Sequence, residues 1–273
     1  MRIFGLGTIK ADFYTFIGGL IVLLFLAGAL GAPVFTRFDP TALNPAQRLE
    51  APSAKHLMGT DELGRDIWSR LLYGSRASAE IGFSVVALAT LLGVGLGLLS
   101  GYYRKIDRVL MRLIDIFMAF PGIIIAIFLA AFLGPGKLNI IAALSFAYFS
   151  GMSRIVRGSV LHEKELEYID SAKTAGAKDT YILTRYILPN VLSPVIVQAT
   201  FIFALAVLDE AALSFLGIGI KAPQPSWGAM ISDAKTYMTV APWTMLFPGL
   251  ALSLVVLGLN LLGDGLRDLE LHG

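Results

Sequence analysis

Six stretches of this chain run for about 20 residues almost without charge, the length an α-helix needs to cross a bilayer. They fall at residues 13–35, 81–103, 116–136, 138–153, 189–220 and 236–263. Inside hydrocarbon, backbone amides and carbonyls can pair only with one another, so apolar segments of this length fold as helices and pack into a bundle. The composition points the same way, with 56% hydrophobic and 15% charged residues. Soluble chains average about 45–50% and about 25%. The expected fold is an all-α integral membrane protein of about six transmembrane helices. A disordered chain, a nucleic-acid tail and an ordinary soluble enzyme are excluded. The net charge of +2 calls for no nucleic acid. The expected partner is membrane lipid.

Three units are expected: an N-terminal segment with the first helix (1–35), an outer loop (36–80) and a core of spans (81–273). The first apolar run exceeds the roughly 7–15 residues of a signal-peptide core, so it reads as a retained anchor. Orientation follows the basic residues. With the N-terminus inside, the cytoplasmic side holds Arg2, Lys10, the cluster Arg104, Lys105, Arg108 and Arg112, the series from Arg154 to Arg185, and Arg267. Both termini are therefore expected to be cytoplasmic, in a multi-pass protein of the cell membrane. Trp227, Tyr237 and Trp243 are expected at the outer interface and Tyr102 and Tyr103 at the inner one, as an aromatic belt.

With no cysteine in the chain, disulfides, thiolate metal sites and a cysteine nucleophile are excluded. His56, His162 and His272 are too far apart in sequence to suggest a metal site. Residues 59–66, Gly-Thr-Asp-Glu-Leu-Gly-Arg-Asp, have the glycine spacing of a phosphate loop. Arg65 replaces its lysine and Asp66 its magnesium-binding hydroxyl, so the segment reads as a turn with Thr60 opening a helix. No catalytic, metal or cofactor-binding residue is expected.

Other features bear on movement. Gly93, Gly97 and Gly101 recur every four residues and let a second helix approach closely. Pro121 predicts a kink in the third span. Charge is costly at mid-bilayer, but Asp209 and Glu210 sit late in the fifth span, near the outer side, where a snorkelled or salt-bridged pair is the alternative to a pathway role. Glu210 and Ser214 are candidate pathway-lining residues; the small residues Ala211, Ala212, Ser214 and Gly217 equally suit tight packing. Between two spans, residues 163–175 and 179–188 read as two helices separated by Gly176. This pair forms a compact projection. Ala172, Ala175, Gly176 and Ala177 give it a small-residue surface suited to a partner's groove, with Glu167 and Asp170 placed to meet cations.

Asp170-Ser171-Ala172, then Gly176, then Tyr186-Ile187-Leu188-Pro189 resembles the EAA loop of ABC importer permeases, with matching spacing. That loop, at about residues 163–189 here, is a coupling helix that docks on a separate ATPase. The resemblance implies that Glu167, Asp170, Ser171, Ala172, Gly176 and Ala177 form the docking surface. Residues 56–70, beginning His-Leu-Met-Gly-Thr-Asp, resemble the outer segment of the dipeptide/oligopeptide/nickel permease group. Residues 210–219 and 223–230, and Asn260 to Asp268, are similar to the same group. The C-type permease of that group has the type I ABC importer transmembrane fold. The resemblance further implies a B-type permease as heterodimer partner, two ABC ATPase subunits that carry ATP and magnesium, and an extracytoplasmic substrate-binding protein. The expected cargo is di- or oligopeptides, with nickel or another small solute as the alternative. An ion-coupled secondary transporter using Asp209 and Glu210 is the alternative of another class.

Overall fold

The computed structural model describes the backbone of residues 4–272 and the side chains of residues 13–268. All elements among the described residues are helical. Five helices are long and apolar enough to cross a membrane, and one bent pair is so only when its two helices are taken together. They are α1 (Phe4–Phe35), α2 (Ile67–Tyr102), the pair α3 (Arg104–Met118) and α4 (Gly122–Leu133), α5 (Lys137–Glu163), α9 (Leu192–Phe215) and α11 (Trp243–His272). Between α5 and α9 lie α6 (Glu167–Thr174), α7 (Asp179–Ile182) and α8 (Leu188–Asn190). Helix α10 (Trp227–Ala234) precedes α11.

The second span is longer than its apolar run. Helix α2 starts at Ile67 because Asp66 caps it, its carboxylate accepting from the Ser69 amide at 2.8 Å. The cap is Asp66 and not Thr60, and the helix begins fourteen residues before the apolar run at 81. The fourth span likewise runs on to Glu163, ten residues past the apolar run. At Pro121 the chain does more than kink: α3 and α4 diverge by 84°. Pro121 has no amide to donate, and the helix restarts at Gly122.

Helices α2 and α5 form the centre of the bundle. Gly93, Gly97 and Gly101 lie against Met152, Val156 and Val160 of α5. A Cβ on Gly97 would stand 2.6 Å from the Val156 Cβ and 2.8 Å from the Ser153 carbonyl oxygen. Without side chains there, α2 meets the α5 backbone directly. Ile81, Val85, Leu144 and Met152 fill the remaining space.

Trp227 does not belong to an interfacial belt. It is 1% exposed, lies beside Phe25, and donates from Nε1 to the Leu71 carbonyl at 2.9 Å. A buried indole needs a partner for its N–H, and this one ties α10 to α2. Gly74 of α2 makes room for the indole, and Gly228 lets α10 approach α9, since a Cβ there would lie 1.9 Å from the Ala211 carbonyl oxygen. Tyr237 and Trp243 bond to the outer segment, through Arg48 and the Thr60 carbonyl.

The segment between α1 and α2 is a folded cap. Asp61 accepts from the Leu63 and Arg65 amides and from Arg65 Nε at 2.6 Å, and pairs with Arg70 at 3.3 Å. The glycines of the phosphate-loop spacing serve this turn: Gly59 and Gly64 take positive φ, and a Cβ on Gly64 would meet Asn44 oxygen at 1.8 Å. Burial pushes the Glu62 carboxyl above its ordinary range, helped by neighbouring Asp61, and burial does the same to Asp233. For such groups the ionised form is the penalised one, so the penalty fades as pH falls through the folded-state values. Asp61 is different, because two buried arginines depend on it. Asp61→Asn is expected to open the cap, at a cost of about 3–5 kcal/mol, while Glu62→Gln leaves it closed. Limited proteolysis of residues 36–66 in membranes measures this directly.

Candidate functional site: the projection between α5 and α9

Isoleucines hold the projection down. Ile169 of α6, Ile182 of α7 and Ile187 are all 0% exposed and join the core that runs up α2 and α5. The opposite face of α6 is open: Glu167, Asp170, Ser171, Lys173 and Thr174 are exposed. Ala172 and Ala177 are half-buried against the core. Helix α6 ends in a complete Schellman turn, with Gly176 at φ +82°. The Ala177 amide reaches the Ala172 carbonyl at 3.0 Å, and the Gly176 amide reaches Lys173 at 2.9 Å. A side chain on Gly176 would enter open space.

The two helices read from sequence are each divided. Lys164, Glu165 and Leu166 form a turn that separates α5 from α6. The second helix passes through a π-helical segment, Leu183–Ile187, in which the Leu188 amide bonds back to Leu183. Pro189 does not end it. The wider π turn carries the helix past a residue with no amide, as far as Asn190.

Polar bonds fix the projection to the bundle. The Tyr102 hydroxyl donates to Asp179 at 2.8 Å, and Lys164 Nζ to the Gly101 carbonyl at 2.8 Å. Asn190 Nδ2 binds Glu163, the Tyr168 hydroxyl and the Tyr186 carbonyl, each at 2.9 Å. Arg157 grips Asp107 of α3 through two bonds, at 2.5 and 2.8 Å. An open cleft of about 510 Å³ lies beside α6, lined by Tyr102, Lys164, Glu165, Asp170 and Lys173. These bonds join the projection to the ends of α2 and α5, and α5 in turn to α3.

Glu210 is not on an open face. It is 0% exposed and accepts from the Ser78 hydroxyl of α2 at 3.0 Å and the Ser214 hydroxyl at 2.8 Å. Ser214, 5% exposed, also accepts from the Ile220 amide. Neither residue faces open space here, in keeping with close packing. They form a polar joint between α2 and α9, and a carboxyl group sealed from water needs such partners. Asp209 is half-buried and bonds to the Tyr148 hydroxyl. Ser78 was not legible as its partner, although it lies on the same helix face as Gly74 and Gly82. Asn190, Arg154 and Arg157 were also missed as clamps; charged or amide residues at span ends facing another helix were the available signal. Among the described residues no group of three potential metal ligands exists.

The described residues thus form a bundle of membrane-spanning helices with a helical projection between α5 and α9. The family model described as binding-protein-dependent transport system inner membrane component matches residues 89–269, and the chain belongs to that family of ABC importer permeases. It is 45% identical over 261 residues to the dipeptide transport system permease protein DppC of Alkalihalophilus pseudofirmus, covering 95% of this chain and 86% of the relative. It is 44% identical over 252 residues to the glutathione transport system permease protein GsiD of Pectobacterium atrosepticum, covering 92% and 84%. Among solved structures it is similar to a chain of the inward-facing MetNI methionine ABC transporter. The TM-score is 0.60 at 19% identity, over 74% of this chain and 96% of that one. The fold is thus the type I ABC importer transmembrane fold. The protein is a multi-pass membrane translocation subunit, and an ion-coupled secondary transporter is set aside.

Proposed function

We propose that this chain is the C-type half of a heterodimeric pathway for di- or oligopeptides. The projection carries the reading: an exposed α6 face ending in the Gly176 turn, fixed at its back by three isoleucines. Glu167, Asp170, Ser171, Ala172, Gly176 and Ala177 form the surface that enters a groove on an ATPase subunit. Two such subunits bind ATP and magnesium, and this chain carries no cofactor. Their closure pushes α6, and the lever transmits the push to α2, α3, α5 and α9, which alternate between outward and inward access. Gly93, Gly97 and Gly101 keep α2 and α5 moving as one unit. The B-type permease completes the pathway. Both termini lie in the cytoplasm, and the cap faces a substrate-binding protein. The exposed Leu43, Leu57 and Leu63 offer that protein an apolar contact.

Peptide is favoured over nickel because the relatives named above carry dipeptide and glutathione. Affinity purification of this chain in mild detergent tests the assembly. A second permease and two ATPases are expected to co-purify, and Asp170→Lys is expected to remove the ATPases while keeping the second permease. Recovery of the chain alone from intact membranes refutes the reading.

A further inference from the structure

The proposed lever does not account for the exposed face of α3. This helix follows α2 after a single residue, Tyr103, at the end of the bundle that carries the projection. It diverges from α4 by 84°, so its axis does not run on into that of the helix that follows. Of its side chains only Ile114 is buried. The exposed apolar residues Ile106, Val109, Leu113 and Ile116 recur at helical spacing and form one stripe. Beside the stripe stand Arg104, Lys105, Arg108 and Arg112, all exposed and none in an ion pair among the described residues. The acids of α3 are already engaged, Asp107 by Arg157 and Asp115 by Arg154 of α5.

We infer that α3 is a membrane-surface helix that binds the phosphate headgroups of anionic phospholipids in the leaflet on the projection's side. An apolar stripe flanked by cations lets a helix lie at the boundary, stripe in the acyl region and charges among headgroups. Lys/Arg clusters next to a span attract anionic lipid, and here no carboxylate of the helix competes. A second permease is the other candidate occupant. Protein interface cores are depleted of charge, and the uncharged outer face of α4, with Ile124, Phe128 and Phe132, suits it better. The inference does not depend on the cargo, the ATPase contact or which compartment the projection faces.

The absence of cysteine makes the test direct. Val109→Cys and Leu113→Cys are labelled with bimane in the assembled transporter, with the cysteine-free chain as background. The assembly is reconstituted in vesicles of phosphatidylcholine, alone or mixed equally with phosphatidylglycerol. Nitroxide-bearing lipids are expected to quench both labels and aqueous iodide to leave them bright, with stronger lipid quenching when phosphatidylglycerol is present. Replacing the four cations by glutamine is expected to abolish that preference, at roughly fivefold in lipid affinity per cation removed. Added inorganic phosphate is expected to leave the quenching unchanged, which separates lipid from the free anion. Labels quenched by iodide, labels shielded from both quenchers by a second permease, or a preference that survives the glutamine variant would each overturn the inference.

Discussion

Gly176→Trp is expected to stop uptake while the permease still reaches the membrane and folds. Gly176 holds φ +82° in the turn that ends α6, and a Cβ there meets nothing within 4 Å. Inside this chain the cost is the left-handed backbone alone, about 1–2 kcal/mol in an exposed turn. Outside it, an indole stands on the face that enters the ATPase groove. Loss of docking by about 2.8 kcal/mol is a factor of about 100 in affinity. Gly176→Asn is the matching control, since asparagine tolerates this conformation and adds little bulk. The expected pattern is normal membrane levels for both variants, with uptake and ATPase co-purification lost only for tryptophan. Normal uptake by Gly176→Trp would remove the lever from the account.

Gly97→Leu is expected to fail earlier, at packing. Its Cβ would stand 2.6 Å from the Val156 side chain and 2.8 Å from the Ser153 backbone. Backbone cannot turn aside as a side chain can, so α2 and α5 must separate. Overpacking of this kind costs about 3 kcal/mol or more. Gly95, two residues away, has nothing within 4 Å and is exposed. Gly95→Leu is expected to be neutral or to gain up to about 0.8 kcal/mol of helix propensity. The unfolding midpoint in detergent separates the two. Equal midpoints would mean that α2 and α5 do not pack as described.

The spans were legible because a long uncharged run has one stable structure in hydrocarbon. Their ends were not. Residues 67–80 contain Arg70, Arg76 and Glu80, which hydropathy reads as loop, yet Asp66 starts the helix before them. Asp61 neutralises Arg70, while Glu80 pairs with Arg76 and Lys137. The Glu80–Lys137 pair joins residues 57 apart in sequence, so local pattern does not reveal it. The Gly93–Gly101 spacing was legible because a glycine every four residues gives one helix a bare face, although which helix it meets is a matter of topology. The projection was legible through Gly176 and Pro189, but not its π segment, which arises when a helix must pass a proline. Glu210 was read as facing a pathway because a charge in a span needs a partner. Its partners are hydroxyls, one of them from α2, 132 residues earlier. Trp227 was read as an interface anchor, and the glycine that admits its ring, Gly74, belongs to another helix.

The central claim is that transport through this chain is driven by ATP acting on the projection. The most direct measurement is uptake of a labelled dipeptide by proteoliposomes holding the complete assembly and its substrate-binding protein. ATP is supplied on the projection's side, with and without a protonophore. The account predicts uptake that requires ATP, persists when the proton gradient is collapsed, and disappears with Gly176→Trp. Uptake that follows an ion gradient without ATP would contradict it.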